Sequence, residues 1–188
     1  RIRKLGLRCP FGMEQTLSGI HREDRLIAGF AALAIAIHIL EAAFPSPLPG
    51  IKPGLANVIT LIVYLRHGLQ LAIWVAGMRI LVGSLLVGTF LSPTFLLSAT
   101  GAVAAMLALT LAGSLGGRHV GAVGLSVVSA LAHMSGQIAV AYLLFIPHPA
   151  LLKLVPVLLS ASLAFGIVSG LFAASLLRIL SRPDEAPG

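Results

Sequence analysis

Residues 69–91 read LQLAIWVAGMRILVGSLLVGTFL, an apolar stretch with one charged side chain, Arg79, near its middle. About 20 mainly apolar residues are needed to cross roughly 30 Å of hydrocarbon, and this stretch is long enough. Its apolar residues form a continuous run rather than a helical or alternating stripe, so a helix built from it is apolar all round. The stretch therefore predicts a transmembrane helix.

The rest of the chain repeats this pattern, and we predict an all-α polytopic membrane protein with six transmembrane helices. They lie near 25–44, 54–66, 69–91, 94–114, 121–146 and 151–180. The whole chain is 57% hydrophobic and only 10% charged, whereas a soluble domain carries about 25% charged residues. Three regions follow: a basic N-terminal segment at 1–24, a transmembrane domain at 25–181 and a tail at 182–188.

The second predicted helix is short for a full span. A tilted helix, shielding by neighbouring helices and entry through an irregular, cavity-lining stretch would each accommodate it.

Lysine and arginine residues indicate the orientation, because cytoplasmic segments near span ends carry an excess of them. With the N-terminus inside, Lys52 and Lys153 are external, Arg79 lies within a span, and the other ten of the 13 basic residues are cytoplasmic. Those ten are Arg1, Arg3, Lys4, Arg8, Arg22, Arg25, Arg66, Arg118, Arg178 and Arg182. Both termini are therefore predicted to be cytoplasmic. The segment 1–24 either lies along the anionic inner leaflet or forms a disordered tail.

Several function classes are not expected from this sequence. The net charge is +7, but the basic residues form no patch interleaved with aromatics, which argues against nucleic-acid binding. The single cysteine, Cys9, excludes an internal disulfide and is assigned no metal role. No phosphate-binding glycine loop, zinc spacing, serine triad or nucleotide motif is present. We therefore predict no catalytic or metal-binding residue, and the sequence identifies no cofactor.

Arg79 is the residue that most needs an explanation, because an arginine at the centre of a membrane helix costs about 2.5–3.5 kcal/mol. Glu41, toward the outer end of the first helix, is the only acid within any predicted span. We expect Arg79 to reach Glu41 directly or through a ligand. The alternative is a structural ion pair that only locks two helices together.

His133 and Gln137 lie four residues apart on the fifth predicted helix, so they project from one face. By themselves they are more typical of hydrogen bonds between helices than of a site. His38 lies three residues before Glu41 and can share its face. The chain between the first two helices has four prolines in nine residues and ends with Lys52 and Asn57 near the second helix. It is either a rigid spacer or an external lid that brings a cation and an amide to a pocket.

On this topology six polar residues share the central or external half of the bundle, and we predict that they bind a ligand: Glu41, Lys52, Asn57, Arg79, His133 and Gln137. Two fixed cations against one acid favour a polar, anionic guest such as a phosphate or a carboxylate.

Small residues mark faces where helices approach each other closely. Ala28, Ala32 and Ala36 recur every four residues on the first helix, where docking of a partner subunit and packing within the chain are equally compatible with the pattern. Gly166 and Gly170 form a GxxxG motif on the sixth helix, for which packing within the chain is favoured.

Several of these residues belong to longer motifs: Glu41, the segment Pro49-Gly50-Ile51-Lys52-Pro53-Gly54-Leu55-Ala56-Asn57, Arg79 with Gly83 and Gly88, Gly101, and His133-Met134-Ser135-Gly136-Gln137. In these motifs the chain resembles the bacterial Gx transporter family, also described as heptaprenyl diphosphate synthase component I. The resemblance runs from about Glu41 to the sixth helix.

The resemblance implies a bundle similar to the substrate-binding S components of energy-coupling-factor transporters, in the bacterial cytoplasmic (inner) membrane. Those subunits dock on a membrane partner through small residues of helix 1, which Ala28, Ala32 and Ala36 match. It also implies prenyl diphosphate, quinone or flavin chemistry nearby. Prenyl chain elongation itself is not expected, because the chain has no aspartate-rich motif and its two aspartates, Asp24 and Asp184, lie outside the spans.

Two functions follow as hypotheses. The leading one is a substrate-binding or transport subunit for a small anionic or amphipathic molecule related to flavins, prenyl phosphates or quinones. The alternative is a non-transporting membrane subunit, either of a quinone or flavin redox module or accessory to isoprenoid diphosphate synthesis.

Overall fold

The computed structural model describes residues 24–37, 39–40, 55–116 and 120–181, and its regular elements in these ranges are all helices. Helix α1 covers 24–37, and residues 39 and 40 are also helical. The others are α2 (Leu55–His67), α3 (Leu69–Val87), α4 (Pro93–Gly116), α5 (Ala122–Val140), continued by a π-helical turn at Ala141–Phe145, and α6 (Pro149–Ser181). The predicted all-helical class is confirmed.

Four of these helices are long and apolar enough to cross a membrane, which makes the chain a membrane protein. They are Leu69–Val87, Pro93–Leu115, Ala122–Phe145 and Pro149–Ile179. Helix α2 has 13 residues, fewer than the roughly 20 of a full span. Of the six predicted spans, the structure therefore supports four. The end of the first predicted span, at 41–44, lies outside the described residues.

The turn between α3 and α4 corrects one predicted boundary, because α3 ends at Val87 and not at 91. Gly88 adopts the left-handed conformation, with φ of 75°, which a glycine enters without steric cost. The Thr89 N–H then donates to the Ser84 carbonyl at 2.8 Å, which closes the helix end. Helix α4 starts four residues later at Pro93, since proline is preorganised for the first helical position.

Helices α5 and α6 pack closely through the GxxxG motif. A Cβ built on Gly166 would lie 3.1 Å from the Cα of Val127, and one on Gly170 would lie 2.7 Å from the Cα of Val123. The Ser162 hydroxyl donates to the Ala130 carbonyl at 2.8 Å on the same interface. The prediction that this motif packs within the chain is confirmed.

The apolar core has two parts that meet at Tyr64 of α2. One joins α2, α4, α5 and α6 through Val58, Leu61, Ile62, Leu109, Leu125 and Ala173, and we call it the four-helix cluster. The other joins α1, α2 and α3 through Ala34, Val63, Leu71, Ala72 and Val75. Tyr64 packs against both parts, and its hydroxyl donates to the Leu109 carbonyl of α4 at 3.1 Å.

Candidate functional site

Arg79 is buried in the middle of α3, with 8% of its surface exposed. It lies eight residues before the end of the helix at Val87. Gly101 lies eight residues after Pro93, the start of α4. Both residues are therefore about 12 Å from the turn that joins α3 and α4, at about 1.5 Å per residue. Arg79 and Gly101 consequently share one depth in the bundle.

His133 and Gln137 of α5 pack on this same glycine. A Cβ built on Gly101 would lie 2.8 Å from both Cε1 and Nε2 of His133 and 2.9 Å from Cγ of Gln137. A backbone hydrogen bond links the imidazole to Gly101, and the Arg79 guanidinium is near enough to interact with it electrostatically. The fold thus packs His133 and Gln137 of α5 on Gly101 of α4 and brings His133 within electrostatic range of Arg79, which is distant in sequence.

Several buried polar side chains include an atom that has no hydrogen-bond partner within the part of the chain that the structure describes. Among these atoms are Oγ1 of Thr60, Oγ of Ser129 and Nδ1 of His133. Thr60 and Ser129 are each 1% exposed. A buried polar atom without a partner loses its hydration and gains nothing in return, which costs about 1–3 kcal/mol. Such atoms are therefore candidates for contact with a bound molecule.

Helix register places Thr60 and Ser129 at a similar depth. On α2, Tyr64 contacts α4 at Leu109 and Gly113, and Thr60 lies one turn before it. On α5, His133 contacts α4 at Gly101, and Ser129 lies one turn before it. Both residues are thus expected to flank the same stretch of α4, between the contacts made by Tyr64 and by His133.

Thr60 and Ser129 are not among the ligand residues that the sequence pattern predicts. Their spacing could have indicated them, because residues three or four apart share one helix face. Ser129, His133 and Gln137 recur every four residues, and Thr60 follows Asn57 by three. Serine and threonine are common in membrane helices, where they usually bond their own helix backbone, as Thr100 does with the Leu96 carbonyl at 2.9 Å. Only the tertiary structure separates the partnered hydroxyls from the unpartnered ones.

The remaining predicted ligand residues are placed only in part. Asn57 is half-buried in the first turn of α2, three residues before Thr60. Glu41, Lys52 and His38 lie outside the described residues. Among the described residues no group of three or more His, Cys, Asp and Glu side chains could hold a metal ion.

The charged side chains of α2 to α6 are all basic. The sequence from 55 to 181, which spans α2 to α6, contains no aspartate and no glutamate. Among the described residues, Arg79 is the charged residue that is buried. These five helices therefore place a basic side chain, and no acidic one, in the interior of the bundle.

The alanine row of α1 faces outward. Ala28, Ala32 and Ala36 are exposed, whereas Ala31 and Ala34 are buried against the bundle. The row is therefore not used for packing among the described residues, and it forms a continuous small-residue face on the outside of α1.

Comparison with known proteins gives one match. A protein-family model described as heptaprenyl diphosphate synthase component I matches residues 30–176, which include Arg79, Gly101, His133 and Gln137. The searches of curated proteins and of solved structures return no match.

Proposed function

Because the chain belongs to the heptaprenyl diphosphate synthase component I family, we propose that it is a membrane subunit that binds a small anionic or amphipathic molecule and takes part in its transport. The molecule is related to prenyl phosphates, quinones or flavins. The chain forms a six-span, S-component-like bundle in the bacterial inner membrane with both termini in the cytoplasm. The binding residues are those of the central site, together with Glu41, Lys52 and Asn57 at its external side.

The observation that supports this proposal is the position of Arg79. Its guanidinium is buried in the middle of an apolar helix, within electrostatic range of His133 from another helix. A buried charge in a membrane is expensive and is commonly found where a substrate or ion is handled. A guanidinium has five N–H donors in a planar fork, so it can hold a protein partner and an oxyanion at once.

Ligand binding to the purified chain in lipid nanodiscs tests the proposal. Prenyl diphosphates, quinones and flavins would be titrated by calorimetry against the wild type and against Arg79→Gln. We expect at least one class to bind and Arg79→Gln to weaken it by about 2–3 kcal/mol, the contribution of a charge-assisted hydrogen bond.

Arg178→Gln is the matched control, because Arg178 is exposed in the last turn of α6 and far from the site in sequence. It should leave the affinity unchanged. If no ligand of the three classes binds, or if a folded Arg79→Gln variant binds as tightly as the wild type, the proposal is wrong.

The outward alanine row supports a partner subunit in the membrane. We propose that Ala28, Ala32 and Ala36 form its docking face, since small residues allow two helix backbones to approach closely. The energy for transport would come through this partner or from an ion gradient, because the sequence has no nucleotide-binding motif of its own.

The second candidate function is a non-catalytic membrane component of isoprenoid diphosphate synthesis. The family description favours it, because a synthase component implies another component. This chain has no aspartate-rich motif for elongation, so a separate subunit would carry the chemistry. Co-purification with a soluble prenyl diphosphate synthase from the same cell would support this function, and loss of that association without any change in synthase activity would contradict it.

A further inference from the structure

We infer that Thr60 and Ser129 form part of the binding site and that the group bound there is a phosphate or diphosphate head group. This inference rests on the proposed function and deepens it, since it adds two residues and selects one ligand class. It starts from the two hydroxyls, which are the most completely buried of the unpartnered polar groups.

These two hydroxyls differ from those of two other buried residues, Ser84 and Ser162. The Ser84 hydroxyl donates to the Leu81 carbonyl at 2.9 Å, and that of Ser162 donates to the Ala130 carbonyl at 2.8 Å. A buried hydroxyl in this bundle can thus donate its proton to a backbone carbonyl. Thr60 and Ser129 do not use it within the described part of the chain.

Thr60 lies one turn before Tyr64, whose hydroxyl bonds the Leu109 carbonyl, so Thr60 is on the side of α2 that faces α4. Leu125, one turn before Ser129 on α5, packs in the four-helix cluster with Val58, Leu61 and Ile62 of α2. The face of α5 that carries Leu125, Ser129, His133 and Gln137 at four-residue intervals is therefore turned inward. It changes from apolar at Leu125 to polar from Ser129 onward, so the four-helix cluster closes one end of the polar region.

The side chains near the two hydroxyls determine which bound group could satisfy them. By helix register, Thr60 of α2 and Ser129 of α5 flank the same stretch of α4. Ser129 lies one turn from His133, which is within electrostatic range of Arg79 of α3. A hydroxyl proton needs an acceptor atom. The guanidinium has five N–H donors, so Arg79 can hold a protein partner and an oxyanion at once. A tetrahedral anion offers acceptor oxygens in several directions and negative charge for the guanidinium, whereas a quinone offers only two carbonyl oxygens and no charge.

Two variants that remove a hydroxyl test the inference, Thr60→Val and Ser129→Ala, with Thr110→Val and Ser162→Ala as matched controls. In both controls the lost hydroxyl bonds a backbone carbonyl of the protein, Met106 for Thr110 and Ala130 for Ser162. The full chain would be placed in nanodiscs of zwitterionic phosphatidylcholine and titrated with inorganic diphosphate, with a short-chain prenyl diphosphate and with a quinone.

We expect Thr60→Val and Ser129→Ala each to weaken diphosphate binding by about tenfold to a hundredfold, the value of a hydrogen bond to a charged group. The control variants should stay within about twofold of the wild type. Thermal stability without ligand should not fall in Thr60→Val, because the hydroxyl that valine removes has no partner among the described residues. Binding of both diphosphates supports a site that holds the free anion, and binding of the prenylated one alone supports a site that also needs the tail.

The outcomes separate this inference from the proposed function. If the diphosphate binds and depends on Arg79 but not on Thr60 or Ser129, the two hydroxyls do not belong to the site, and the binding function stands. If the quinone binds and neither diphosphate does, the phosphate assignment is wrong. A marked loss of stability in Thr60→Val would show that its hydroxyl has a structural partner, such as a buried water molecule, and would overturn its role. If no ligand binds at all, the proposed function itself fails.

Discussion

Replacement of Gly101 by alanine is the sharpest test of the central packing. The new Cβ would lie 2.8 Å from two ring atoms of His133 and 2.9 Å from Cγ of Gln137. Carbon atoms in contact are normally about 3.5–4.0 Å apart, so both side chains must move by more than half an ångström. Overpacking of this kind typically costs about 1–3 kcal/mol. We expect the lower half of that range, because the atoms in the way belong to side chains and not to backbone.

The free energy of unfolding of Gly101→Ala would be measured by SDS titration from mixed micelles. Gly77→Ala is the matched control, because no atom lies within 4 Å of its Cβ position on α3. Alanine loses less backbone entropy than glycine in a helix, so the control should be more stable by about 0.5–1 kcal/mol. The two variants carry the same chemical change, and the expected effects have opposite signs.

A double-mutant cycle with His133→Ala then identifies the group that is displaced. If the imidazole is the main obstacle, the cost of Gly101→Ala should fall by at least half in the His133→Ala background, since that background removes the two closest atoms. An unchanged cost in that background, or a Gly101→Ala variant as stable as the wild type, would refute the packing described here.

Three further predictions concern other parts of the bundle. Gly170→Ala should destabilise the chain by about 2–3 kcal/mol, more than Gly101→Ala in the same SDS titration, because the new Cβ would meet the backbone Cα of Val123 at 2.7 Å; an equal or smaller cost would argue against rigid contact of α5 and α6. Tyr64→Phe should lower the free energy of unfolding by about 1 kcal/mol through loss of the 3.1 Å bond to the Leu109 carbonyl, and no measurable change would argue against that bond. Ala32→Trp should leave the stability unchanged, because Ala32 is exposed, but should abolish co-purification of a membrane partner; retention of the partner would exclude this face of α1 as the docking surface.

The extent of the helices followed from local features of the sequence. Apolar runs too long and too uniform for a soluble element predicted the helices, and Pro93, Pro149 and the glycines near 117 marked their ends. The exception is the end of α3, which was predicted at 91 and lies at Val87. The apolar stretch continues to Leu91, beyond the residue at which the backbone turns. Hydropathy therefore overestimated the length of this helix.

A residue of the candidate site was predictable from the sequence only where placing its side chain in a membrane helix costs free energy in any fold. Arg79 stood out because a charge in an apolar helix needs compensation wherever it lies. Thr60 and Ser129 did not stand out, because a hydroxyl is inexpensive in a helix as long as a backbone carbonyl accepts its proton. The cost at these two positions arises from the neighbouring helices that bury them.

The sequence by itself determined that this is a helical membrane protein, because the partitioning of a segment between water and the lipid bilayer depends on the segment's own composition and length. It also indicated a close helix contact at Gly166 and Gly170, since small residues at that spacing allow two helix backbones to approach each other. Only the tertiary structure decided that His133 and Gln137 pack on Gly101 within range of Arg79, that the alanine row of α1 faces outward, and which hydroxyls lack a partner. These properties depend on which helix faces lie opposite one another, and that choice is made by packing among segments distant in sequence.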